Sequence, residues 1–256
     1  MRYGTALLGL ALAMGLTLPS LEASPAGKDL KADAAEALKK ATTYAKDKIA
    51  THGGYVYYYS EDLTQRWGEG KPGKDTIFVQ PPGTPTWCMA FLRAYEATKD
   101  KVHLDAAKAA ATALVKGQLV SGGWRQVIHF APPSKGQIGK YRKVIAGGND
   151  NTSTLDDGQS TSALMAIMKV DKALDQKDAD IHDAAMYGLD ALLKAQFPNG
   201  GFPQCWVGPQ GLKVADKAKY PEYEWRTENR PKEYWWLAVA GIALTTLFAK
   251  NGWLGA

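Results

Sequence analysis

The chain has 256 residues, a formal net charge of +5 and two cysteines. Its length suffices for one large hydrophobic core or two small ones. Lysine and arginine are dispersed rather than gathered in tracts, which argues against a nucleic-acid partner. Beyond the N-terminus no stretch is long and apolar enough to span a bilayer.

The first residues read as a removable export signal: Arg2, a short apolar run from Thr5 to Leu18, then the small residues Ala23, Ser24 and Ala26. Cleavage is expected after Ala23 or Ala26, so residues 1–26 are assigned to a signal peptide and 27–256 to one domain. Removing Arg2 and Glu22 together leaves the charge at +5. A secreted or periplasmic, monomeric protein is expected, and its basic balance suits acidic partners. Cys88 and Cys205 are candidates for pairing in an oxidising compartment, or for two buried thiols. Neither forms a C-x-x-C motif, and His52, His103, His129 and His182 lack zinc-ligand spacing.

In chain order, Leu30, Ala34, Leu38, Ala41 and Ala45 recur at helical spacing, predicting a helix from Leu30 to Ala50 that His52-Gly53-Gly54 stops. The aromatic run Tyr55–Tyr59 reads as a short strand or extended loop. Pro81-Pro82-Gly83-Thr84-Pro85 breaks any helix, Thr86 is a possible cap, and a helix follows from Trp87 to Ala97. His103–Val115 is an Ala-rich helix. Further helices are expected over Asp157–Leu174, Asp180–Ala195 and Glu233–Lys250.

The units Gly53-Gly54-Tyr55, Gly122-Gly123-Trp124 and Gly200-Gly201-Phe202 each follow a predicted helix. Their spacings are 69 and 78 residues, an internal repeat of helix, Gly-Gly-aromatic, long loop, helix. Glycine after a helix supplies the positive φ that ends it. The aromatic packs on helix ends or faces a cavity. Helical hairpins repeated this way, with long loops at one end, predict an all-α chain forming an incomplete α/α toroid.

The polar run Asn149–Thr152 leads into Asp156-Asp157, expected to open a helix. Two carboxylates there hold a hard cation, hold a sugar, or cap the helix, whose macrodipole favours anions.

GGW-x-Q at Gly122–Gln126 and GGF-P-Q at Gly200–Gln204 resemble the pectic acid lyase family. So do GGYVYYYSEDLTQRWGEGK, VQPPGTP, AYEATKD, LDAAKAAATALVKGQLVSGGW, NTSTLDDGQSTSALM and DALLKAQFPNGGFPQ, which cover most of residues 50–205. The resemblance implies a polysaccharide lyase with an incomplete α/α toroid, performing calcium-assisted β-elimination of polygalacturonate, an acidic plant polysaccharide. It places the family's acidic motif at Asp156 and Asp157. The family's arginine base lies beyond an Ala-Trp-Cys/Ala-Gln-Gln segment that this sequence lacks, and Trp236-Leu237 stands where relatives carry Asn-Asp. A C-terminally truncated or degenerate member is therefore expected as the alternative, a uronate-binding toroid without catalysis. A terpenoid-cyclase-like scaffold fits less well, because such a site wants apolar flanks and no export signal.

Asp150, Asp156 and Asp157 are the candidate Ca²⁺ ligands, with substrate carboxylates and water completing the shell. Base candidates are Arg142, Arg226 and Arg230, although arginine normally stays protonated. Lys140 and Lys143 are candidates for binding uronate carboxylates, Tyr55 and Trp124 for stacking on sugar rings, and Arg125 and Gln126 for reaching the mouth.

Overall fold

A computed structural model describes residues 29–133, 139–147, 150–196 and 201–207. The predicted export signal, the predicted helix Glu233–Lys250, and Arg226 and Arg230 lie outside the described residues. Those described are mostly helical, as the periodicity predicts. No described helix is long and apolar enough to cross a membrane.

Each helix begins where local chemistry supplies a start. Helix α1 (Leu30–Tyr44) is capped by Asp29, whose Oδ1 accepts from Lys31 and Ala32 N–H. A single π-helical turn, Ala45–Ile49, prolongs it. Helix α2 (Thr84–Thr98) starts earlier than predicted. Pro85 sits in its first turn, where a missing N–H costs nothing. Lys99, in the left-handed region at φ 61°, ends it. Helices α3 (Lys101–Lys116) and α5 (Ala179–Ala195) are capped by Asp100 and Asp178, which accept from Val102 and Ile181 N–H.

The start of α4 departs from expectation. Asp156–Gly158 forms a separate 3₁₀ turn, and α4 runs Gln159–Ala173. Asp157 lies in the left-handed region (φ 47°), as does Gly158 (φ 69°). Neither aspartate caps α4, so capping does not explain the acidic pair.

Helices α2/α3 and α4/α5 form consecutive hairpins. In addition α2 packs on α4, α3 on both α1 and α5, and α3 on α4. Contacts between alternate helices are those of two concentric layers, the arrangement of an incomplete α/α toroid. Helix α3 sits at the centre. Ala106, Ala107, Ala110, Ala111, Ala113 and Leu114 are all buried, and such small side chains let neighbouring helices approach closely. A wet stripe of Lys101, Asp105, Lys108 and Lys116 remains.

The long loops are stitched together by strands that the sequence reading missed. The hairpin β1 (Tyr58–Tyr59) and β2 (Arg66–Trp67) lies within the first loop. Strand β3 (Thr76–Phe78) pairs antiparallel with β4 (Val127–His129), in register Ile77↔Ile128. Strand β5 (Ser153–Thr154) pairs with β6 (Cys205–Trp206), Thr154 facing Cys205. The first loop is thereby joined to the second, and the second to the third.

The internal repeat extends to individual hydrogen bonds. Tyr55 N–H donates to Thr84 Oγ1 at the start of α2 (2.9 Å), and the same hydroxyl donates to Tyr55 O. Trp124 N–H donates to Ser160 Oγ at the start of α4 (2.9 Å), and that hydroxyl donates to Trp124 O. Next, Phe78 N–H donates to Tyr55 O, and Thr154 N–H to Trp124 O. Finally, Val79 N–H donates to Gln126 O and Leu155 N–H to Gln204 O. In this alignment of repeats Gln80 and Asp156 occupy equivalent positions.

The two glycines of a unit serve different ends. Gly53 and Gly122 have φ of +87° and +94°. Gly54 and Gly123 instead permit close approach, since a Cβ there would lie 2.9 Å from Thr84 Oγ1 and 2.6 Å from Ser160 Oγ. The aromatics Tyr55, Trp124 and Phe202 are all buried.

Candidate functional site

Where the three loops meet lies a cleft of about 570 Å³. Its lining includes Glu69 from the first loop, Gln80 after β3, and Arg125 and Gln126 after the second Gly-Gly-aromatic unit. Asp150, Thr152, Thr154, Asp156, Asp157 and Gln159 come from the passage into α4, and Gln204 and Cys205 from the third unit. Five residues singled out in the sequence, Arg125, Gln126, Asp150, Asp156 and Asp157, are thus brought to one place.

Main-chain bonds fix the floor. Leu155 N–H donates to Gln204 O (2.8 Å) and Asp156 N–H to Thr154 Oγ1 (3.0 Å). Thr154 Oγ1 donates to Gln204 O (3.1 Å) and accepts from Cys205 Sγ (3.4 Å). Asn151, beside Asp150, accepts from Ser121 N–H (2.6 Å) and donates to Val207 O (2.6 Å). The acidic passage is thereby pinned between the second and third loops. Asp150 folds back on its own loop, its Oδ1 accepting from Thr152 N–H (3.0 Å). Asp156 and Asp157 are exposed, and among the described residues neither carboxylate has a hydrogen-bond or ion-pair partner. The same holds for the Arg125 guanidinium.

Glu69 differs. Gln80 Nε2 donates to its Oε1 (2.6 Å) and Gln126 Nε2 to its Oε2, and Gln126 Nε2 also meets Gln80 Oε1 (2.9 Å). Nearby, the Tyr57 hydroxyl is buried without a partner. Burial first, then the negative charges of Glu69 and Asp157, push its pKa up. It therefore stays protonated, and it occupies the repeat position that Gln126 and Gln204 hold in the other two units. Sequence reasoning missed Glu69, Gln80 and Tyr57. The position two residues after each Gly-Gly-aromatic was the available signal for Tyr57.

Other sequence candidates lie elsewhere. Tyr55 is 1 % exposed and stacks on Trp87, with ring centroids 4.4 Å apart. Trp124 is also 1 % exposed, and its Nε1–H donates to Leu114 O (2.8 Å). Neither offers a face to a sugar; both are core, because the Gly-Gly unit turns the following side chain inward. Arg142 donates to Gln118 Oε1 (2.6 Å), pairs with Asp183 (3.0 Å) and lies 3.6 Å from the Tyr187 ring centroid. That guanidinium fastens its loop to α5 and is fully committed, so it is no base for the cleft. Lys143 pairs with Asp183 (3.0 Å) and Asp180 (3.2 Å), which raise its pKa. Lys140 is exposed and does not line the cleft. Cys88 and Cys205 are free thiols, Cys88 pushed up to about 12 by burial.

Among the described residues, four carboxylates against one guanidinium give the cleft a negative lining. Their oxygens are of the hard kind that calcium takes. Among the described residues, no group of three or more His, Cys, Asp or Glu side chains is arranged to hold a metal by itself. A cation here would complete its shell with oxygens of a bound anion and water.

Residues 130–221 match the model of the pectic acid lyase family. No curated protein matches the chain. Among solved structures, the family 10 polysaccharide lyase from Cellvibrio cellulosa is similar at 20% identity and a TM-score of 0.42, over 71% of this chain and 56% of that one. A mutant of a family 10 lyase from the same organism, in complex with trigalacturonic acid, gives 19% and 0.42, over 71% and 57%. A D-mannose isomerase gives 16% and 0.43, over 74% and 44%. The chain thus spans little more than half the length of the two lyase chains it matches. The segment that carries Asp150, Asp156 and Asp157 into the cleft is pectic acid lyase-like.

Proposed function

We propose that this cleft binds polygalacturonate, and that the chain is an exported pectate lyase-like enzyme acting on it by calcium-assisted β-elimination. The observation that carries this reading is the meeting in one cleft of Arg125 with Asp156 and Asp157, none of which has a side-chain partner among the described residues. The aspartates lie on the segment that matches the family. A cleft that gathers a few converging charged side chains is the default candidate for a binding site.

The negative lining alone would repel a polyuronate; a divalent cation, for which Asp156 and Asp157 would supply oxygens, would offset that charge. Bound calcium supplies charge that neutralises a uronate carboxylate and so acidifies the proton α to it. Asp156 and Asp157 contribute hard oxygens, and the left-handed turn at Asp157 presents its carboxylate outside the helix. Arg125 binds a carboxylate of the chain through a charge-assisted pair. Elimination then removes the C5 proton to a base. The electron pair forms the C4–C5 double bond, and the C4–O bond breaks.

No described cleft residue is free to act as that base in an obvious way. Arg142, the first base candidate, is committed to Asp183 and Gln118 away from the cleft, and that observation favours a second reading, a toroid that binds uronate chains without cleaving them.

Retention on a polygalacturonate gel tests the common part of both readings. The protein should be retarded in calcium, and Arg125→Gln should weaken binding about 10-fold or more, the usual scale for losing a hydrogen bond to a charged group. Wild type that is not retarded, with or without calcium, would sink both readings.

A further inference from the structure

We infer that Glu69 is a specificity-determining residue of the cleft, and that it selects an uncharged sugar unit within the bound chain. The inference rests on the polygalacturonate reading above.

Glu69 is supplied by the loop between β2 and β3, outside the segment that matches the family. It lines the same cleft as Arg125 and the three aspartates. Its environment is not theirs. Among the described residues Asp156 and Asp157 have no side-chain partner, whereas both Glu69 oxygens accept from side-chain amides, Gln80 Nε2 at 2.6 Å and Gln126 Nε2. Gln126 is itself set by its carbonyl, which accepts from Val79 N–H (2.7 Å) and Gln80 N–H (3.2 Å). The carboxylate is therefore held in one orientation by groups anchored to the β3 segment.

An ionised carboxylate has about four lone-pair sites. Two are engaged by the amides, and the others remain for sugar hydroxyls. Recruiting Glu69 to a cation would compete with those amide bonds, while the free aspartates pay no such penalty. Against Glu69, a unit presenting hydroxyls is stabilised and a unit presenting its own carboxylate meets like charge. The cleft thus takes free uronates near Arg125 and the aspartates, and an uncharged unit at Glu69. That unit is either a methyl-esterified uronate or a neutral sugar.

Binding of the full chain in calcium is measured on three polymers: fully de-esterified polygalacturonate, partly methyl-esterified pectin, and a uronate polymer interrupted by neutral sugars. Wild type should prefer one or both of the latter, and which one identifies the source of the uncharged unit. Glu69→Gln should cut that preference about tenfold, by gaining affinity for the plain polymer as the like charge is removed. Glu69→Asp keeps the charge but withdraws from the amides; it should weaken binding while retaining the preference. Rising ionic strength should erode the preference in wild type and not in Glu69→Gln. An unchanged ratio in Glu69→Gln, or equal loss of the ratio in Glu69→Asp, overturns the inference while leaving the binding reading intact. No retention of wild type on any polymer overturns both.

Discussion

Asp157 lies in the cleft with its carboxylate exposed, one residue before the glycine that precedes α4. Two acidic residues before an apolar periodic run read as a helix start, and helix starts favour aspartate without further purpose. The structure separates these facts, because Asp157 occupies a left-handed turn ahead of α4 and caps nothing. Asp and Asn tolerate that region better than other non-glycine residues. Asp157→Asn should therefore fold as wild type, while Asp157→Ala adds roughly 1 kcal/mol of backbone strain. In a calcium titration of polygalacturonate binding, Asp157→Asn should shift the midpoint upward with an unchanged melting temperature. An unchanged midpoint would remove Asp157 from the cation site. Arg125 and Gln126 were legible because they follow a recognisable turn. Glu69 was not, since nothing local distinguishes it among the polar residues 60–86; only the pairing of β3 with β4 brings it to Gln126.

At the level of elements, the repeat was the most legible feature. Periodic apolar positions gave the described helices to within a few residues, and the recurring Gly-Gly-aromatic marked where the long loops begin. The small sheets were invisible because each strand has two or three residues, too short for alternation to register. The direction of Tyr55 and Trp124 was likewise hidden, each being bonded by a hydroxyl from the start of the next helix, Thr84 and Ser160. Gly122 is the most sensitive point of this design. Its φ is +94°, and a Cβ there would lie 2.2 Å from the Ala191 Cβ on α5. Gly122→Ala combines left-handed strain of about 1–2 kcal/mol with a clash in a packed core. Thermal unfolding should fall by about 2–4 °C for each kcal/mol lost. A melting temperature equal to wild type would mean that the Gly-Gly unit does not fix α5 against the second loop.

Over the whole molecule, the fully buried His103 and the half-buried His129 contribute to the response to mild acid. His103 is fully buried between α1 and α3, where Nδ1 bonds Thr42 Oγ1 (2.7 Å) and Nε2 has no partner. Burial lowers its pKa, with Lys39 acting in the same direction and Asp100 against it; burial lowers His129 as well. A histidine whose folded pKa lies below its unfolded value binds fewer protons when folded. Its stabilising contribution is then complete above the ordinary value of 6.5 and is lost as pH falls from there toward the folded pKa. Melting temperatures should hold steady above that value and decline below it, before the carboxylates protonate. His103→Gln, which cannot titrate, should flatten the decline. A slope identical to wild type would assign the acid response elsewhere.

Lyase chemistry is tested most directly by incubating the purified protein with polygalacturonate and following the ultraviolet absorbance of the unsaturated product. Absorbance should rise steadily in the presence of calcium, stop when a chelator is added and resume with fresh calcium. A flat trace at saturating calcium, from protein that melts cooperatively, would contradict the lyase reading.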